Sequence, residues 1–149
     1  MGVISGTPLL AGLNAQSRPN VLAYDIVDTL RSTHELRTDY DDSTTTSFNF
    51  KSFYFGCVVT NVETLLSLPL SCSVKLTGYR NGKQVAFQQA DFRTPLLQLT
   101  ANMDKVELNN GFCDVDRVVF ETAGGVVESV LSAVLMDNFE YTTIASNKY

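Results

Sequence analysis

The feature that most constrains the fold is the dipeptide Asn81-Gly82, which lies between two segments in which apolar and polar residues alternate. Asn-Gly supplies the two positive-φ residues of a type I′ turn, which joins two antiparallel strands through a two-residue loop. The flanking segments, 72–79 and 83–92, are rich in residues that favour strands. A β-hairpin is therefore predicted over residues 72–92.

The alternation also predicts which side chains of this hairpin face the core. The expected inward-facing residues are Cys72, Val74, Leu76, Gly78, Val85 and Phe87. The expected outward-facing residues are Ser73, Lys75, Thr77, Tyr79, Gln84, Ala86 and Gln88.

Strand-like segments of similar length occupy most of the remaining chain, namely 20–28, 48–50, 52–59, 95–100, 102–108, 115–122 and 134–142. Gly56 interrupts one of them and indicates a bulge or a close approach of backbone. Many short strands separated by turn signals are typical of two packed antiparallel sheets. We predict an all-β fold, a single antiparallel β-sandwich.

At most one or two short helical turns are expected beside these strands. One is predicted between Asn61 and Leu70, and a short helix over residues 26–36 competes with the strand there. Residues 38–47 are strongly polar and read as an exposed loop. Residues 1–18 are interpreted as an irregular N-terminal arm, and residues 19–149 as the one sandwich domain.

Charge and hydropathy exclude two classes of partner. The chain has 16 acidic and 11 basic residues, for a net charge of −5, and no cluster of Lys and Arg that could neutralise a phosphate backbone. We therefore expect no nucleic acid as a partner. No apolar run approaches the roughly 20 residues that span a bilayer. The first residues lack the basic n-region of a secretory leader, so we expect any leader to be absent from this chain.

The three cysteines leave two interpretations open from spacing alone. Cys57 and Cys72 both lie at strand positions among core residues, and a disulfide between them would close a loop of about 15 residues. Alternatively, both are buried free thiols, because cysteine is among the most buried residue types. Cys113 is interpreted as a structural cysteine that has no disulfide partner. None of the three has a neighbour in sequence that would create a reactive thiolate.

The sequence contains no recognisable combination of catalytic residues. His34 is the only histidine, so any Ser-His or Cys-His device would have to use it, and no nucleophile-elbow motif is present. We expect His34 to be a surface or loop residue. Asp137 lies between Met136 and Phe139 in an apolar strand and needs a partner, which is a backbone amide, an arginine or a Ca²⁺ ion.

Two polar loops carry the residues expected to bind a ligand. Tyr40 stands beside Asp41 and Asp42 in the polar loop, and tyrosine rings stack well on the apolar faces of sugars. The hairpin turn adds Tyr79, Arg80 and Asn81. The competing interpretation of both tyrosines is that they pack against neighbouring strand residues.

The segments SFYFGCVV and LPLSCSVKLTGYRNGKQVAFQQADF, together with LMDNFEYT near the end, resemble a group of small secreted fungal proteins. Those proteins are expected to form jelly-roll sandwiches similar to galactose-binding-like domains and carbohydrate-binding modules. The likeness covers roughly residues 48–142.

The resemblance implies a secreted protein, a disulfide between Cys57 and Cys72, and binding without catalysis. It also implies that Asp137 helps to hold a structural Ca²⁺, with Asp25 as a second ligand. The absence of tryptophan departs from the usual sugar-binding platform, and residues 1–47 match the group poorly.

The sequence therefore predicts a non-catalytic secreted module that binds a glycan or another cell-surface ligand. A second hypothesis is an interaction protein that forms a homo-oligomer or binds a surface protein of a host. A third is a hydrolase or lyase on the same scaffold.

Overall fold

A computed structural model describes residues 2–5, 12–17, 20–25, 33–61, 66–95, 98–123 and 131–146. Twelve strands and one 3₁₀ helix, Asn110–Phe112, account for the regular structure of these residues. The strands are β1 Gly2–Ser5, β2 Leu13–Asn14, β3 Asn20–Asp25, β4 His34–Arg37, β5 Thr45–Asn61, β6 Leu66–Leu70, β7 Cys72–Arg80, β8 Lys83–Phe92, β9 Ala101–Asn102, β10 Asp104–Glu107, β11 Arg117–Thr122 and β12 Leu131–Ala145.

Two antiparallel sheets contain almost all of these strands. The first has the order β1-β3-β12-β5-β10, with β6 added to β5, and the second has the order β4-β11-β7-β8. The chain repeatedly crosses from one sheet to the other, and strands that are distant in sequence, such as β3 and β12, lie side by side. This arrangement is the two-sheet jelly roll. The predicted all-β sandwich is confirmed.

The longest strand, β5, spans two segments that were predicted as separate strands, 48–50 and 52–59. Phe48 and Phe50 are buried at even positions, whereas Phe53 and Phe55 are buried at odd positions. One extra residue must lie between the two sets, since side chains alternate along a strand. The pairing with β12 contains that irregularity, because Tyr141 pairs with Phe50 and the adjacent Glu140 pairs with Ser52. Lys51 is thus a bulge that turns both phenylalanine pairs toward the second sheet.

Phenylalanine rings fill the space between the sheets. Phe53 is fully buried, and its ring centroid lies 5.7 Å from that of Phe50 and 5.9 Å from those of Phe120 and Phe139. Phe50 and Phe139 are parallel to the Phe53 ring within 30°, and Phe120 meets it edge-on. Both geometries are favourable for aromatic pairs. Phe120 comes from β11, so this cluster joins the two sheets.

The predicted hairpin forms, with Asn81 at φ 51° and Gly82 at φ 76° in its turn. On β7, Cys72, Val74 and Leu76 are buried as predicted, but Ser73 and Thr77, predicted to face outward, are buried as well. The predicted facing of β8 is wrong. Its buried apolar residues are Ala86, Ala90 and Phe92, and Val85 and Phe87 are 50% and 52% exposed. A register shift causes this, because Gly78 pairs with Ala86 while Tyr79 pairs with Gln84, so Val85 is an extra residue on β8.

The disulfide between Cys57 and Cys72 is present, and it joins the two sheets. Cys57 lies in β5 of the first sheet and Cys72 begins β7 of the second, with their Cα atoms 6.2 Å apart. Both residues are fully buried. Cys113, the free cysteine, is exposed just after the 3₁₀ helix.

The predicted irregular arm contains two short strands, and part of it covers the outer face of the first sheet. β1 pairs with β3, and β2 forms a parallel pair with β9. Leu13 packs onto Gly56, where an added Cβ would lie 2.7 Å from the leucine side chain. The glycine in β5 therefore provides room for the Leu13 side chain, and the pairing with β12 runs past it without a bulge.

Three other predicted elements differ from the structure. Residues 66–70, the end of the predicted helical turn, form strand β6, and Pro69 is accommodated because β6 pairs on one side only. Residues 98–100 are not a strand, and the rest of that predicted segment includes residues 96–97, which lie outside the described residues. The alternative helix over 26–36 is wrong at residues 34–36, which belong to β4, and its residues 26–32 are outside the described part.

Candidate functional site

The two loops predicted to bind a ligand lie at the same end of the sandwich. Arg80, at the end of β7, donates a hydrogen bond from Nη1 to the carbonyl oxygen of Thr46 at 3.0 Å. The polar loop before β5 contains a tight turn, because the amide of Ser43 donates to the carbonyl of Tyr40 at 3.1 Å. Asp42 occupies that turn at φ 62°. The structure therefore brings the polar loop and the hairpin turn together, with a cleft on each side of the loop.

The first cleft has a volume of about 350 Å³ and is mainly apolar. We call it the apolar cleft. Tyr40 and Tyr141 line this cleft, and 60% and 54% of their surfaces are exposed. Phe48 also lines it and is buried. The Tyr141 ring meets the Phe48 ring edge-on at 6.4 Å. The residues lining this cleft are Leu22, Leu36, Arg37, Thr38, Tyr40, Thr45, Phe48, Phe139, Tyr141 and Thr143.

A bulge in β12 points its later residues into the apolar cleft. Before the bulge, Val134 and Met136 face inward because they pair with the inward-facing Cys57 and Phe55. Asn138 has φ 49°, and the register shifts by one residue there. Odd-numbered residues face inward afterwards, which places Phe139, Tyr141 and Thr143 at the cleft.

The second cleft has a volume of about 630 Å³ and is lined almost entirely by polar and charged residues. We call it the polar cleft. Arg80 is fixed within it, since Nε lies 3.5 Å from Asp114 and Nη1 lies 3.7 Å from Asp116. Asp116 also accepts a hydrogen bond from the backbone amide of Asn81. The residues lining this cleft are Thr38, Asp39, Thr46, Arg80, Asn81, Gly82, Asp116 and Arg117.

The predicted ligand-binding residues are thus divided between the two clefts. Tyr40 lines the apolar cleft, and Arg80 and Asn81 line the polar cleft. Asp41 and Asp42 are exposed in the turn of the polar loop. Tyr79 has one face covered, because the Arg117 guanidinium carbon lies 4.4 Å from the centroid of its ring. That face is closed to a sugar.

The backbone positions of the two predicted metal ligands lie apart on the first sheet. Asp25 pairs with Ala133, which is four residues before Asp137 on β12, a separation of about 13 Å at the usual rise of a strand. Asp137 is buried and accepts hydrogen bonds from the backbone amides of Ser17 at 2.7 Å and Asn138 at 2.8 Å. Backbone amides are therefore partners of this carboxylate. Within the described ranges, no three His, Cys, Asp or Glu side chains form a group that could hold a metal ion.

The prediction that His34 is a surface or loop residue is wrong. His34 begins strand β4 and is only 3% exposed. Its ring stacks on the buried ring of Tyr24, with the centroids 4.2 Å apart. The histidine faces the core because it pairs with Phe120, another inward-facing residue. It lines neither cleft.

The buried hydroxyl group of Tyr24 is expected to lower the stability of the folded protein at alkaline pH. Burial raises the pKa of Tyr24 to about 12, although a hydrogen bond with Thr122 lowers it. In the unfolded chain the Tyr24 hydroxyl group ionises near pH 10. The free energy of unfolding should therefore fall as the pH rises from about 10 to about 12. The expected loss is about 2 kcal/mol. Denaturant unfolding at a series of pH values should show it, and Tyr24→Phe should remove that part of the slope.

The matched control for this experiment is Tyr40→Phe, because Tyr40 is 60% exposed. It should leave the alkaline slope unchanged. An identical slope in Tyr24→Phe and the wild type would contradict the assignment.

The sequence interpretation missed Tyr141, Phe139, Thr38 and Arg117 as residues of the clefts. A signal for Tyr141 was present, since Phe139, Tyr141 and Thr143 alternate after Asn138, a residue type that tolerates positive φ. No sequence signal identifies Arg117, because its position depends on the pairing of β11 with β4 and β7.

Comparison with known proteins adds no identification. No known family model matches this chain, and no curated protein sequence matches it. In the part of the chain that the structure describes, no helix is long and apolar enough to cross a membrane. The resemblance to secreted fungal proteins stays a prediction.

Proposed function

We propose that the protein is a non-catalytic binding module whose ligand is a glycan held in the apolar cleft. The observation that carries this proposal is the pair of tyrosines, Tyr40 and Tyr141, which expose their rings beside a cleft of about 350 Å³. Exposed aromatic rings that are grouped at one cleft are typical of recognition sites, and their faces suit the apolar faces of sugars. The cleft lies within the usual size range of ligand sites.

The polar groups of the apolar cleft support a sugar as the ligand. The lining includes the threonines Thr38, Thr45 and Thr143, whose hydroxyl groups both donate and accept hydrogen bonds, and Arg37, which donates. Sugar hydroxyls need both kinds of partner. A few polar groups around an apolar floor are the usual means by which a site fixes the orientation of its ligand.

Binding is favoured over hydrolysis by the positions of the titratable groups. His34, the only histidine, lies in the core, so it does not reach a ligand in either cleft. Asp116 in the polar cleft is engaged by Arg80 and by the amide of Asn81. These contacts suit a structural carboxylate rather than a general acid or base.

The disulfide supports a secreted protein as part of this proposal. Cys57 and Cys72 are buried and join the two sheets. Disulfides persist in oxidising compartments and are rare in the cytosol.

Replacing Tyr141 with alanine is expected to weaken glycan binding about tenfold, because an aromatic contact contributes about 1.5 kcal/mol. Tyr40→Ala should act similarly, and Tyr141→Phe should retain most of the affinity. A glycan array in Ca²⁺ and in EDTA would identify the ligand, and isothermal titration would then measure the variants.

Phe87→Ala is the control, since Phe87 is equally exposed, at 52%, but lies on β8 and lines neither cleft. It should bind as the wild type does. No binding to any glycan in either condition would contradict the proposal and favour the interaction-protein hypothesis.

A further inference from the structure

Two arginines lie directly opposite each other beside the clefts. In the pairing of β4 with β11, Arg37 is the partner of Arg117. Like charges at directly opposed positions destabilise a sheet. The arrangement is also unexpected in a chain with 16 acidic residues and 11 basic ones.

The carboxylates near this arginine pair compensate it only weakly. Glu35 lies 3.6 Å from Arg37 and 3.9 Å from Arg117, so one carboxylate serves both guanidinium groups. Asp39 lies 3.6 Å from Arg37, but its side chain is 80% exposed. The pair with Asp39 therefore contributes little, whereas Glu35, with 21% of its side chain exposed, is shared between the two guanidinium groups. Arg117 has no other ion pair within the part of the chain that the structure describes.

Arg80 shows the contrast between a structural arginine and the opposed pair. It donates to the Thr46 carbonyl and lies between Asp114 and Asp116, and its side chain is 30% exposed. The side chains of Arg37 and Arg117 are 52% and 40% exposed. Arg80 is therefore committed to holding the loops, whereas the opposed pair retains donors for a ligand.

The Arg117 guanidinium is also oriented in advance. Its central carbon lies 4.4 Å from the centroid of the Tyr79 ring, a cation–π contact that restricts the side chain. A guanidinium held in this way matches the two oxygens of a carboxylate or sulfate group, and little side-chain freedom remains to be lost on binding. The covered face of Tyr79 thus has a role in orienting Arg117.

We propose that the ligand is an acidic sugar whose carboxylate or sulfate group binds between Arg37 and Arg117. Arg37 lines the apolar cleft, Arg117 lines the polar cleft, and Thr38 lines both. An anion at this junction would adjoin a sugar ring held by Tyr40 and Tyr141. The inference rests on the proposed glycan binding and adds the charge of the ligand to it.

The test compares an acidic sugar with its uncharged ester and with a sugar that carries sulfate instead of carboxylate. Isothermal titration would use a galacturonic acid tetrasaccharide, its fully methyl-esterified form, and a sulfated galactan tetrasaccharide, in about 0.05 M salt, where screening is weak. The acidic sugar should bind about 10- to 100-fold more tightly than the ester, as expected for hydrogen bonds to a charged group. The sulfated arm distinguishes sulfate from carboxylate as the bound group.

Variants of the arginine pair should abolish this preference. Arg117→Gln and Arg37→Gln should each lower the affinity for the acidic sugar to within about threefold of that for the ester. Arg117→Lys should retain part of the preference, because it keeps the charge but loses the planar fork. The control is Arg93→Gln, since Arg93 pairs with Asp91, is 67% exposed and lines neither cleft. Thermal melting would confirm that each variant folds.

The possible outcomes separate this inference from the proposed function. Equal binding of acid, sulfate and ester, with binding still weakened in Tyr141→Ala, would overturn the anion site and leave the glycan site standing. Equal weakening of acid and ester by Arg117→Gln would also overturn it, because Arg117 would then contribute packing rather than charge recognition. No binding of any of the sugars, nor of any array glycan, would overturn both proposals.

Discussion

Phe53→Ala is expected to lower the free energy of unfolding by about 3–5 kcal/mol, the range for truncation of a buried phenylalanine. Phe53 is fully buried, and rings from three other strand positions surround it, namely Phe50, Phe120 and Phe139. Those rings belong to both sheets, which hold their positions through backbone pairing, so they cannot easily collapse into the cavity. Equilibrium unfolding in guanidinium chloride would measure the loss.

Phe87→Ala is the matched control for this measurement as well. The same side chain is removed, but Phe87 is half exposed on β8, so the change should stay within about 1 kcal/mol. Equal losses in the two variants would contradict the assignment of the core.

Removal of the disulfide should lower the free energy of unfolding by about 3 kcal/mol, the value for a loop of about 15 residues. The bridge joins β5 to β7 and restricts the unfolded chain by holding together two segments that belong to different sheets. The double variant Cys57→Ala, Cys72→Ala is preferred to chemical reduction, because it leaves no buried thiols. Urea unfolding of the variant and the wild type would give the difference.

Cys113→Ala is the control for the disulfide, since Cys113 is a free and exposed cysteine. It should unfold at the same denaturant concentration as the wild type. A double variant as stable as the wild type would show that strain in the folded protein cancels the restriction of the unfolded chain.

The fold class could be predicted from local sequence signals. The side chains of each strand that face the core could not always be predicted from them. Asn81-Gly82 predicted the hairpin because the turn type depends on those two residues alone. The inward positions of β8 depended on a bulge at Val85, opposite Gly78 and Tyr79, which leaves no local mark in the sequence. The bulge at Lys51 did leave one, since the spacing of Phe50 and Phe53 breaks the alternation.

The candidate site was predictable to the extent that it lies in loops. Tyr40, Arg80 and Asn81 were found because polar loops and turn residues stand out in the sequence. Tyr141 and Arg117 were missed because strands bring them to the clefts, through pairings between distant segments. The interpretation of His34 failed for the same reason, because polar neighbours in sequence concealed its pairing with Phe120.

The position of β12 between β3 and β5 has a consequence for how the protein is made. During synthesis from the N-terminus, β3 and β5 leave the ribosome long before residues 131–145, which fill the space between them. Until then, the facing edges of both strands have no partner to satisfy their amides and carbonyls. The β7–β8 hairpin, by contrast, can pair as soon as it emerges. We therefore expect the nascent chain to depend on protection against aggregation until β12 is complete.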